Sequence, residues 1–447
     1  MSIRTSILLV LGFAACVYVI TGPRGVPDGA EGRVLIDYWE KWTGHEGEVM
    51  QEVVDRFNRS QDEIFVRYLP TSSIAEKAMV AIAGGDPPDV LGLWSQNLPF
   101  YADNSALLDL SPWFADHSID IEDYALAIQP LLLWNGTQWA VPNTCGSTAL
   151  YYDRTAFAQA GLDPDAPPTT IEELNACIDA LTILDSDGHV VRAGFLPVEP
   201  GWWPWCWGYH FGGSLVDSDG EVTLATAANT EAWQWVQSFP DRWGIDHLAR
   251  LRSTFGNYNS PEQSFLSGTV AMIMQGPWLA NVINAYEPDL DYGVAPFPSL
   301  ATLGSDLRGV VECDLLVVPR GANHPEEAMA FIAFTQQQDQ VEFLCAAHAK
   351  PSPLARSSES FREDHPNRGI AVHEAILRSP SAYSAPTLTV WPEYADEINN
   401  ALQRAWLLES SAAEAIADAH ARAAAAVARA KETQRRRRAA ANGGDGP

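Results

Sequence analysis

Basic residues are scarce in this 447-residue chain, and their scarcity excludes one large class of partners. The sequence holds 28 Lys and Arg against 57 Asp and Glu, a formal net charge of −29 at pH 7. A surface that acidic repels phosphate backbones, so the main body is not expected to bind nucleic acid. Charged and hydrophobic residues make up 19% and 47%, a globular balance, and the length predicts two or three domains.

Cysteine is also scarce, and its spacing excludes the common metal and redox motifs. None of the six cysteines forms a C-x-x-C pair, which argues against zinc ribbons and thioredoxin-like sites. We expect the five cysteines beyond the N-terminal region to be buried as small hydrophobic residues, with at most one disulfide among them. Residues 185–188 and 217–220 have the pattern Asp-Ser-Asp-Gly, which is typical of hairpin turns and is a weaker match to a calcium loop. We therefore predict no metal and no cofactor.

Catalytic signatures are missing as well. The chain has no G-x-S-x-G, Walker A or G-x-G-x-x-G segment, and His45-Glu46 lacks the second histidine of a zincin motif. Several acids could supply paired carboxylates for glycoside hydrolysis, but sequence alone places no two of them at the required separation. We therefore predict that the protein is not an enzyme, with a carbohydrate-active enzyme as the less favoured alternative.

The sequence has one long apolar run, which lies at the N-terminus. Arg4 precedes the apolar residues 7–20, which predicts a signal peptide or a membrane anchor over residues 1–22. Cys16 follows two alanines, as the lipidated cysteine of a bacterial lipoprotein follows small residues, and an uncleaved anchor is the alternative. Both alternatives place the main chain outside the cytoplasmic membrane. Residues 23–32, with Gly, Pro and charge, are predicted to be a tether.

Strand-like and helical segments alternate along the chain, which predicts an α/β fold with a mostly parallel sheet. Strand-like runs at residues 33–39, 64–69 and 90–94 are separated by two helical segments. From about residue 412 the chain becomes rich in Ala with scattered Arg, which predicts a helix. Residues 431–447 are predicted to be a disordered basic tail.

Three predicted helices begin with a capping box, in which a Thr or Ser and a Glu three residues later satisfy free backbone N–H groups. The pairs are Thr43 with Glu46, Ser73 with Glu76, and Thr169 with Glu172.

Tryptophan is abundant, with 16 in the chain, and several stand beside polar residues in predicted loops after strands. Indole faces stack on the apolar faces of pyranose rings, while carboxylates and amides pair with ring hydroxyls. Ligands of open α/β sheets bind at the carboxyl ends of strands, where these loops lie. Packing in the core is the alternative explanation for any one indole. The mixed segments contain Glu40 with Trp42, Gln96 with Asn97, Glu199 with Trp202, Trp278, and Trp391.

Seven short segments then stand in one order along residues 33 to 407. They are 57–59 (FNR), 85–90 (GDPPDV), 135–142 with 149–153 (NGTQWAVP, ALYYD), 211–213 (FGG), 265–272 (FLSGTVAM), 276–278 (GPW) and 293–298 (GVAPFP). In this order they resemble the sugar-binding family of extracellular solute-binding proteins that serve ABC importers.

The resemblance implies a two-lobe periplasmic-binding-protein fold of the α/β class, with a central mixed sheet in each lobe and a ligand cleft between the lobes. The first lobe is expected at residues 33–145 plus 284–338, and the second at 146–283 plus 339–430. The implied function is that of a receptor that captures a sugar or oligosaccharide by hinge closure and delivers it to an ABC transporter permease. A receptor for a non-sugar solute, such as a polyamine or a phosphate ester, is the alternative.

The resemblance also extends the candidate site by position. It places Asn143 and Thr144 at the first crossing between lobes, and it places Asp314 where the family usually has a small residue. We expect a monomer that is tethered to the cytoplasmic membrane through its N-terminus. The predicted ligand-binding residues are Glu40, Trp42, Gln96, Asn97, Asn143, Thr144, Glu199, Trp202, Trp278, Asp314 and Trp391.

Overall fold

A computed structural model describes residues 27–116 and 119–442. Among these residues no helix is both long and apolar enough to cross a membrane. The predicted signal peptide or anchor at residues 1–22, Cys16 within it and the first part of the tether lie outside the described residues.

Short strands and helices alternate along the described chain. The strands are β1 (Val34–Glu40), β2 (Ile64–Pro70), β3 (Val90–Trp94), β4 (Leu133–Trp134), β5 (Thr137–Gln138), β6 (Val141–Ser147), β7 (Ala149–Asp153), β8 (Ile183–Leu184), β9 (Val190–Arg192), β10 (Met272–Gln275), β11 (Tyr292–Ala295) and β12 (Val311–Val317). The helices are α1 (Gly44–Ser60), α2 (Ile74–Gly84), α3 (Leu98–Asp103), α4 (Ser111–Asp116), α5 (Arg154–Gln159), α6 (Ile171–Leu181), α7 (Trp207–His210), α8 (Ala227–Trp243), α9 (Ile245–Arg252), α10 (Leu279–Tyr286), α11 (Pro325–Thr335), α12 (Gln338–Ala347), α13 (Glu359–Glu363), α14 (Ile370–Leu377), α15 (Trp391–Trp406) and α16 (Ala412–Asn442).

The first lobe is built on a five-stranded mixed sheet in the order β2-β1-β3-β12-β6. β1 pairs in parallel with β2 and β3, as the alternating helices and strands predict. β12 lies much further along the chain than β3 and β6, and it pairs antiparallel with both of them. The carboxyl ends of β1 and β3 therefore lie beside residues of β6 and β12, and this edge carries the candidate site.

The second lobe has a three-stranded sheet in the order β10-β7-β11. β7 pairs antiparallel with both neighbours, so this sheet differs from the mixed sheet expected for this lobe. β10, α10 and β11 form a crossover unit, and β7 lies between its two strands. β6 and β7 are separated only by Thr148, which makes this short segment a crossing between the lobes.

Two predicted lobe boundaries differ from the structure. β11 lies within the 284–338 stretch predicted for the first lobe, yet it pairs with β7 of the second lobe. α12 was predicted to belong to the second lobe, yet it packs on α1 and β6 of the first. Strand pairing and helix docking depend on distant partners, and the local sequence of these segments does not specify those partners.

The C-terminal helix α16 packs on α8 and α15 of the second lobe. Its buried face repeats every three or four residues and lies in the core of that lobe, which gives an amphipathic helix in an Ala-rich segment. The buried residues are Ala412, Ala415, Ile416, Ala419, Ala423, Ala426 and Val427.

The prediction of a disordered tail over residues 431–447 is wrong for residues 431–442, because α16 continues to Asn442. Ala, Arg, Lys, Glu and Gln are strong helix formers, and Glu432 forms ion pairs with Arg435 and Arg436 one turn later. Near its end the helix reaches the first lobe, where Gln434 donates a hydrogen bond of 3.1 Å to Asp103.

The five described cysteines, Cys145, Cys177, Cys206, Cys313 and Cys345, are all buried and free. Their burial as small hydrophobic residues confirms that part of the prediction, and no disulfide joins any two of them.

Candidate functional site

Glu40 ends strand β1 and is fully buried. One carboxylate oxygen accepts hydrogen bonds from the Tyr38 hydroxyl at 2.7 Å and from the Asn143 amide at 3.3 Å. The other accepts from the backbone N–H of Lys41 at 2.7 Å and from its ammonium at 3.0 Å. A Cβ at Gly92 on the neighbouring strand would lie 2.1 Å from this carboxylate, so glycine is required there. The predicted residue Glu40 thus binds Lys41 directly, and the predicted residue Asn143 contacts Glu40 and Tyr38.

Asp314 on β12 bridges two buried ammonium groups. Its carboxylate lies 3.0 Å from the ammonium of Lys41 and 3.0 Å from that of Lys350. It also accepts a hydrogen bond of 2.6 Å from the Thr144 hydroxyl on β6. The side chains of Lys41, Lys350 and Asp314 are only 7%, 5% and 12% exposed. These three residues and Thr144 are called the ion cluster below.

The ion cluster shifts the proton affinities of its members. Burial alone raises the pKa of Asp314, but Lys350 and Lys41 outweigh it and hold that pKa well below its usual range. Burial lowers the pKa of Lys350, but Asp314 and Glu46 outweigh it, and the pKa is raised overall. The carboxylate and both ammonium groups therefore stay charged at neutral pH.

Lys350 is not among the site residues predicted from the sequence. The chain contains four lysines, Lys41, Lys77, Lys350 and Lys431, and two of them lie in the ion cluster. No local motif marks Lys350, which stands in the linker between α12 and α13.

Indole rings flank both ammonium groups. The ammonium of Lys350 lies 5.1 Å from the ring centroid of Trp42 and 5.7 Å from that of Trp278. The ammonium of Lys41 lies 5.0 Å from the Trp42 ring and 5.2 Å from that of Trp94. These distances are within the range of cation–π attraction. The predicted residues Trp42 and Trp278 thus come from different lobes and meet at the ion cluster.

Two glycines make the position of Trp278 possible. A Cβ at Gly146 on β6 would lie 3.0 Å from the indole, and a Cβ at Gly276 would lie 2.4 Å from it. The indole can lie against the backbone of the crossing strand because neither position carries a side chain.

Three further aromatic rings of the second lobe pack near Trp278, namely those of Trp202, Trp203 and Tyr258. The centroids of Trp202 and Trp203 lie 6.2 and 6.1 Å from that of Trp278, and Tyr258 lies 5.0 Å from Trp202. Trp202 is 43% exposed, whereas Trp203 is buried. An exposed indole among packed aromatic rings gives a flat apolar face that a ligand can use.

Glu312 lies on the same strand as Asp314, at the edge of this aromatic group. The indole N–H of Trp203 donates a hydrogen bond of 2.8 Å to its carboxylate. Burial raises the pKa of Glu312 to about 7, although the bond from Trp203 lowers it. Glu312 can therefore donate or accept hydrogen bonds near neutral pH, depending on its protonation.

Glu199 and Trp202 line a cavity of about 530 Å³ in the second lobe. The Glu199 carboxylate accepts a hydrogen bond of 3.0 Å from the Ser264 hydroxyl, and burial raises its pKa. The cavity is also lined by Pro200, Ala249, Arg252, Ser253, Phe255, Gly256, Asn257, Tyr258 and Gln263.

Three more predicted residues lie apart from the ion cluster. Gln96 and Asn97 form a short turn after β3, where Gln96 shares a small recess with Glu312. Trp391 begins α15 and is only 4% exposed, with its indole packed edge-on against Trp205 at 5.5 Å. α15 contacts the turn that holds Gln96 and Asn97, but the Trp391 indole itself belongs to the core of the second lobe.

Residues 185–188 and 217–220 form turns, as predicted. The first joins the hairpin β8–β9, and Gly188 and Gly220 have positive φ values of 81° and 69°. Asp185, Asp187 and His189 each place one ligand atom within 4.8 Å of the others. One Asp185 oxygen accepts from the backbone N–H groups of Asp187 and His189, as expected for a turn.

The site as a whole combines balanced charges, hydroxyl and carboxyl groups, and aromatic faces. Such a surface can pair with several hydroxyl groups of a ligand and cover its apolar faces.

Comparison with known proteins assigns the chain to a family. Residues 41–342 match the model of the bacterial extracellular solute-binding proteins. The chain belongs to this family. This confirms the resemblance drawn from the seven short segments, and it agrees with an extracytoplasmic location. Members of the family are binding proteins.

The individual relatives have low sequence identity to this chain, but their alignments cover most of it. A putative binding protein of Brucella abortus (strain 2308) is 24% identical over 398 residues, 88% of this chain and 92% of that protein. Structures of CpMnBP1 with mannobiose and mannotriose bound are 25% and 26% identical, with TM-scores of 0.77, and cover 88% of this chain and 100% of theirs. UgpB from Mycobacterium tuberculosis in complex with glycerophosphocholine is 20% identical, with a TM-score of 0.73, over 89% of this chain and 99% of its own. The likeness confirms the two-lobe α/β fold.

Proposed function

We propose that this protein is the receptor of an ABC importer and captures a sugar or oligosaccharide between its two lobes. The observation that carries the proposal is that Trp278 of the second lobe, with Trp202 beside it, lies next to Lys350 in the ion cluster of the first lobe. Aromatic faces on one side and fixed polar groups on the other suit a ring with apolar faces and hydroxyl edges. The mannobiose and mannotriose complexes of a structural relative support the same ligand class.

A glycerophosphodiester is the second candidate, because one structural relative is bound to glycerophosphocholine. The charge balance of the ion cluster argues against it. The ammonium of Lys41 lies 3.0 Å from both Glu40 and Asp314, and that of Lys350 lies 3.0 Å from Asp314. A phosphate would have to compete with these carboxylates for cations that are already paired.

Calorimetric titration with mannose, mannobiose, mannotriose and glycerophosphocholine tests the proposal. Binding of at least one sugar is expected, and binding of glycerophosphocholine alone would contradict it. Incubation with the bound oligosaccharide separates a receptor from an enzyme. Recovery of intact sugar supports the receptor, whereas new reducing ends indicate hydrolysis.

Stacking and hydrogen bonding are expected to have separate effects on affinity. Trp278→Ala should weaken all bound sugars similarly, by about 2–4 kcal/mol, because an indole face contributes area that every pyranose can use. Glu199→Ala should reorder epimeric sugars, because a group that pairs with one hydroxyl rejects the epimer lacking it. Calorimetry on both variants with three epimers measures this. A changed ranking with Trp278→Ala and a preserved one with Glu199→Ala would reverse the assigned roles.

The N-terminal region completes the proposal. Residues 1–22 are proposed to direct export, with Cys16 either lipidated or within an uncleaved anchor, and the monomeric receptor stays near its permease in the membrane. Full-length protein found in the soluble periplasmic fraction with residues 1–20 still attached would contradict both versions. Closure is proposed to occur about the crossing from β6 to β7 and the segment before β12.

A further inference from the structure

Cys145 and Cys313 lie directly opposite each other on neighbouring antiparallel strands of the first sheet, Cys145 on β6 and Cys313 on β12. Residues that lie opposite each other in such a pair point to the same face of the sheet. Both side chains are accordingly buried in one hydrophobic cluster, with exposed fractions of 1% and 2%. The candidate site and the family assignment give neither thiol a role.

The backbone of β12 shows which kind of position the two cysteines occupy in the ladder. The N–H of Cys313 is directed away from β6 and donates to the Ser95 hydroxyl at 3.3 Å. Two residues earlier, the N–H of Val311 also points away and donates to the backbone oxygen of Tyr383 at 2.7 Å. A residue whose N–H points away exchanges no backbone bonds with the strand on the other side. Cys145 and Cys313 therefore form a non-hydrogen-bonded pair.

The two sulfur atoms are within reach of each other at such a position. The Cα atoms of a non-hydrogen-bonded pair are about 4.5 Å apart, and a disulfide accommodates Cα separations of roughly 4.4–6.8 Å. Both thiols are reduced here, and they donate to the backbone oxygens of Pro351 and Thr144 at 3.4 and 3.3 Å. Because S–H groups are weak donors, turning the two sulfur atoms towards each other gives up little.

The location of the protein supplies oxidising conditions, since the chain belongs to the extracellular solute-binding proteins. Disulfides form and persist outside the cytoplasmic membrane. Burial raises the pKa of both thiols well above its usual value, so they stay protonated and react slowly once the protein has folded. β6 is the edge strand beside β12, and the two thiols come together as this pair of strands forms. Oxidation is therefore expected during folding, after export.

We propose that Cys145 and Cys313 form a disulfide bond in the exported protein and that the bond is made while the chain folds. One thiolate attacks a disulfide oxidant, either oxidised glutathione or the disulfide of a thiol oxidoreductase, and releases one reduced thiol. The other thiolate then attacks the mixed disulfide and releases the second. The two cysteines lose two electrons and two protons, and the disulfide of the oxidant becomes two thiols.

The bond fixes β6 to β12 beside the ion cluster. Thr144 and Asp314 are the next residues along the two strands, and they also lie opposite each other. The Thr144 hydroxyl donates a hydrogen bond of 2.6 Å to the Asp314 carboxylate. A cross-link one residue away holds the strands, and with them this hydrogen bond, in register. It also closes a long loop of the unfolded chain, which raises the stability of the folded protein.

Counting the free thiols of the exported full-length protein tests the proposal. Protein that is purified without reductant, unfolded and alkylated with iodoacetamide should carry two fewer adducts than the same preparation reduced first. Trypsin cleaves after Arg154, Arg308 and Arg320, which places Cys145 and Cys313 on peptides without any other described cysteine. Mass spectrometry of the unreduced digest should find these two peptides linked. Equal adduct counts before and after reduction, or a link to any other cysteine, would overturn the proposal.

Refolding tests the stage at which the bond forms. Reduced protein that has already folded should keep its thiols in a mixture of oxidised and reduced glutathione, because both cysteines are buried. The same protein refolded from guanidinium in that mixture should lose two thiols and melt several degrees higher than protein refolded with dithiothreitol. Refolding without loss of thiols refutes the bond, and equally fast loss from the folded protein refutes its formation during folding.

Cys313→Ala and Cys177→Ala separate the bond from the loss of a buried side chain. Cys177 is buried as well, but it lies on α6 in the second lobe. Refolding with dithiothreitol instead of glutathione should lower the melting temperature of Cys177→Ala, as in the wild type, and leave that of Cys313→Ala unchanged. A difference that persists in Cys313→Ala contradicts the pairing. Thiol counts do not depend on any ligand, so this inference and the proposed function fail separately.

Discussion

Replacing Asp314 by Asn is expected to destabilise the folded protein by about 3 kcal/mol at pH 7. The substitution keeps the size of the side chain and removes the one negative charge that Lys41 and Lys350 share, each at 3.0 Å. Removing one partner of a buried ion pair typically costs about 3–5 kcal/mol, because it leaves the other charge buried without compensation.

The lower end of that range is expected because the two lysines are affected unequally. Lys41 keeps Glu40, whose carboxylate is 3.0 Å away. Lys350 keeps the Thr144 hydroxyl at 3.1 Å and the carboxylate of Glu46 at 3.7 Å. The Glu46 side chain is 36% exposed, so solvent screens much of its attraction. Most of the loss is therefore expected from Lys350.

Urea unfolding at pH 7, followed by tryptophan fluorescence, measures the loss, and Asp37→Asn is the control. Asp37 pairs with Arg67 through two bonds of 2.7 Å, but the two side chains are 26% and 22% exposed. A pair open to solvent is worth about 0–1 kcal/mol. If Asp314→Asn lowers the free energy of unfolding no more than Asp37→Asn does, the ion cluster does not behave as a buried pair.

The effect should also depend on pH in a defined direction. The pKa of Asp314 is lower in the folded protein than in the unfolded chain, so its contribution is present above the unfolded value, about 4, and is lost as the pH falls towards the folded value. The stability difference between wild type and Asp314→Asn should therefore shrink below about pH 4. A difference that stays constant down to pH 2 would refute this assignment.

Three other substitutions test separate parts of the structure. The pKa of Glu312 is raised to about 7 in the folded protein, so the free energy of unfolding of the wild type should fall as the pH rises from about 4.5 through 7. Glu312→Gln should remove this pH dependence and raise the free energy of unfolding at pH 8 by roughly 1–3 kcal/mol. Urea midpoints across that range measure this, and an unchanged slope contradicts it. Gly146→Ala should weaken sugar binding in calorimetry, since its Cβ would lie 3.0 Å from an indole of the site, while Gly84→Ala, with no atom within 4 Å, should not. Ala419→Asp, on the buried face of α16, should lower the melting temperature sharply, whereas Ala417→Asp on the exposed face of the same helix should cost under about 1 kcal/mol. Similar losses in both variants would mean that this helix is not docked.

Local signals in the sequence predicted many elements closely. The strand-like runs at residues 33–39, 64–69 and 90–94 correspond to β1, β2 and β3 within one residue at each end. The helix starts at Thr43 and Ser73 are correct, although neither side chain makes a capping hydrogen bond. The third capping box forms one residue later than predicted, between Thr170 and Glu173. Periodicity and turn residues act within a few residues, which is why these features are readable from sequence.

The candidate site was only partly predictable, because its residues come from segments that are far apart in the sequence. The structure brings the predicted residues Trp42, Thr144, Trp278 and Asp314 together at the ion cluster. Trp42, Thr144 and Asp314 follow or lie within strands of the first sheet, whereas Trp278 follows β10 of the second sheet. Trp391 stands beside Pro392, as Trp278 stands beside Pro277, yet its indole packs in the core against Trp205. Nothing in the local sequence distinguishes an indole that packs inward from one that faces a cleft.

The sequence by itself determined the alternation of strands and helices, the acidic composition, the helical character of the Ala-rich segment from about residue 412 and the family. Only the tertiary structure decided that Lys350 meets Lys41 and Asp314, although it lies 309 and 36 residues from them along the chain. It also decided that β12 inserts between β3 and β6 and that β11 joins the second sheet. Charge pairing and strand pairing act through space between distant segments, so these contacts become defined only when the chain has folded.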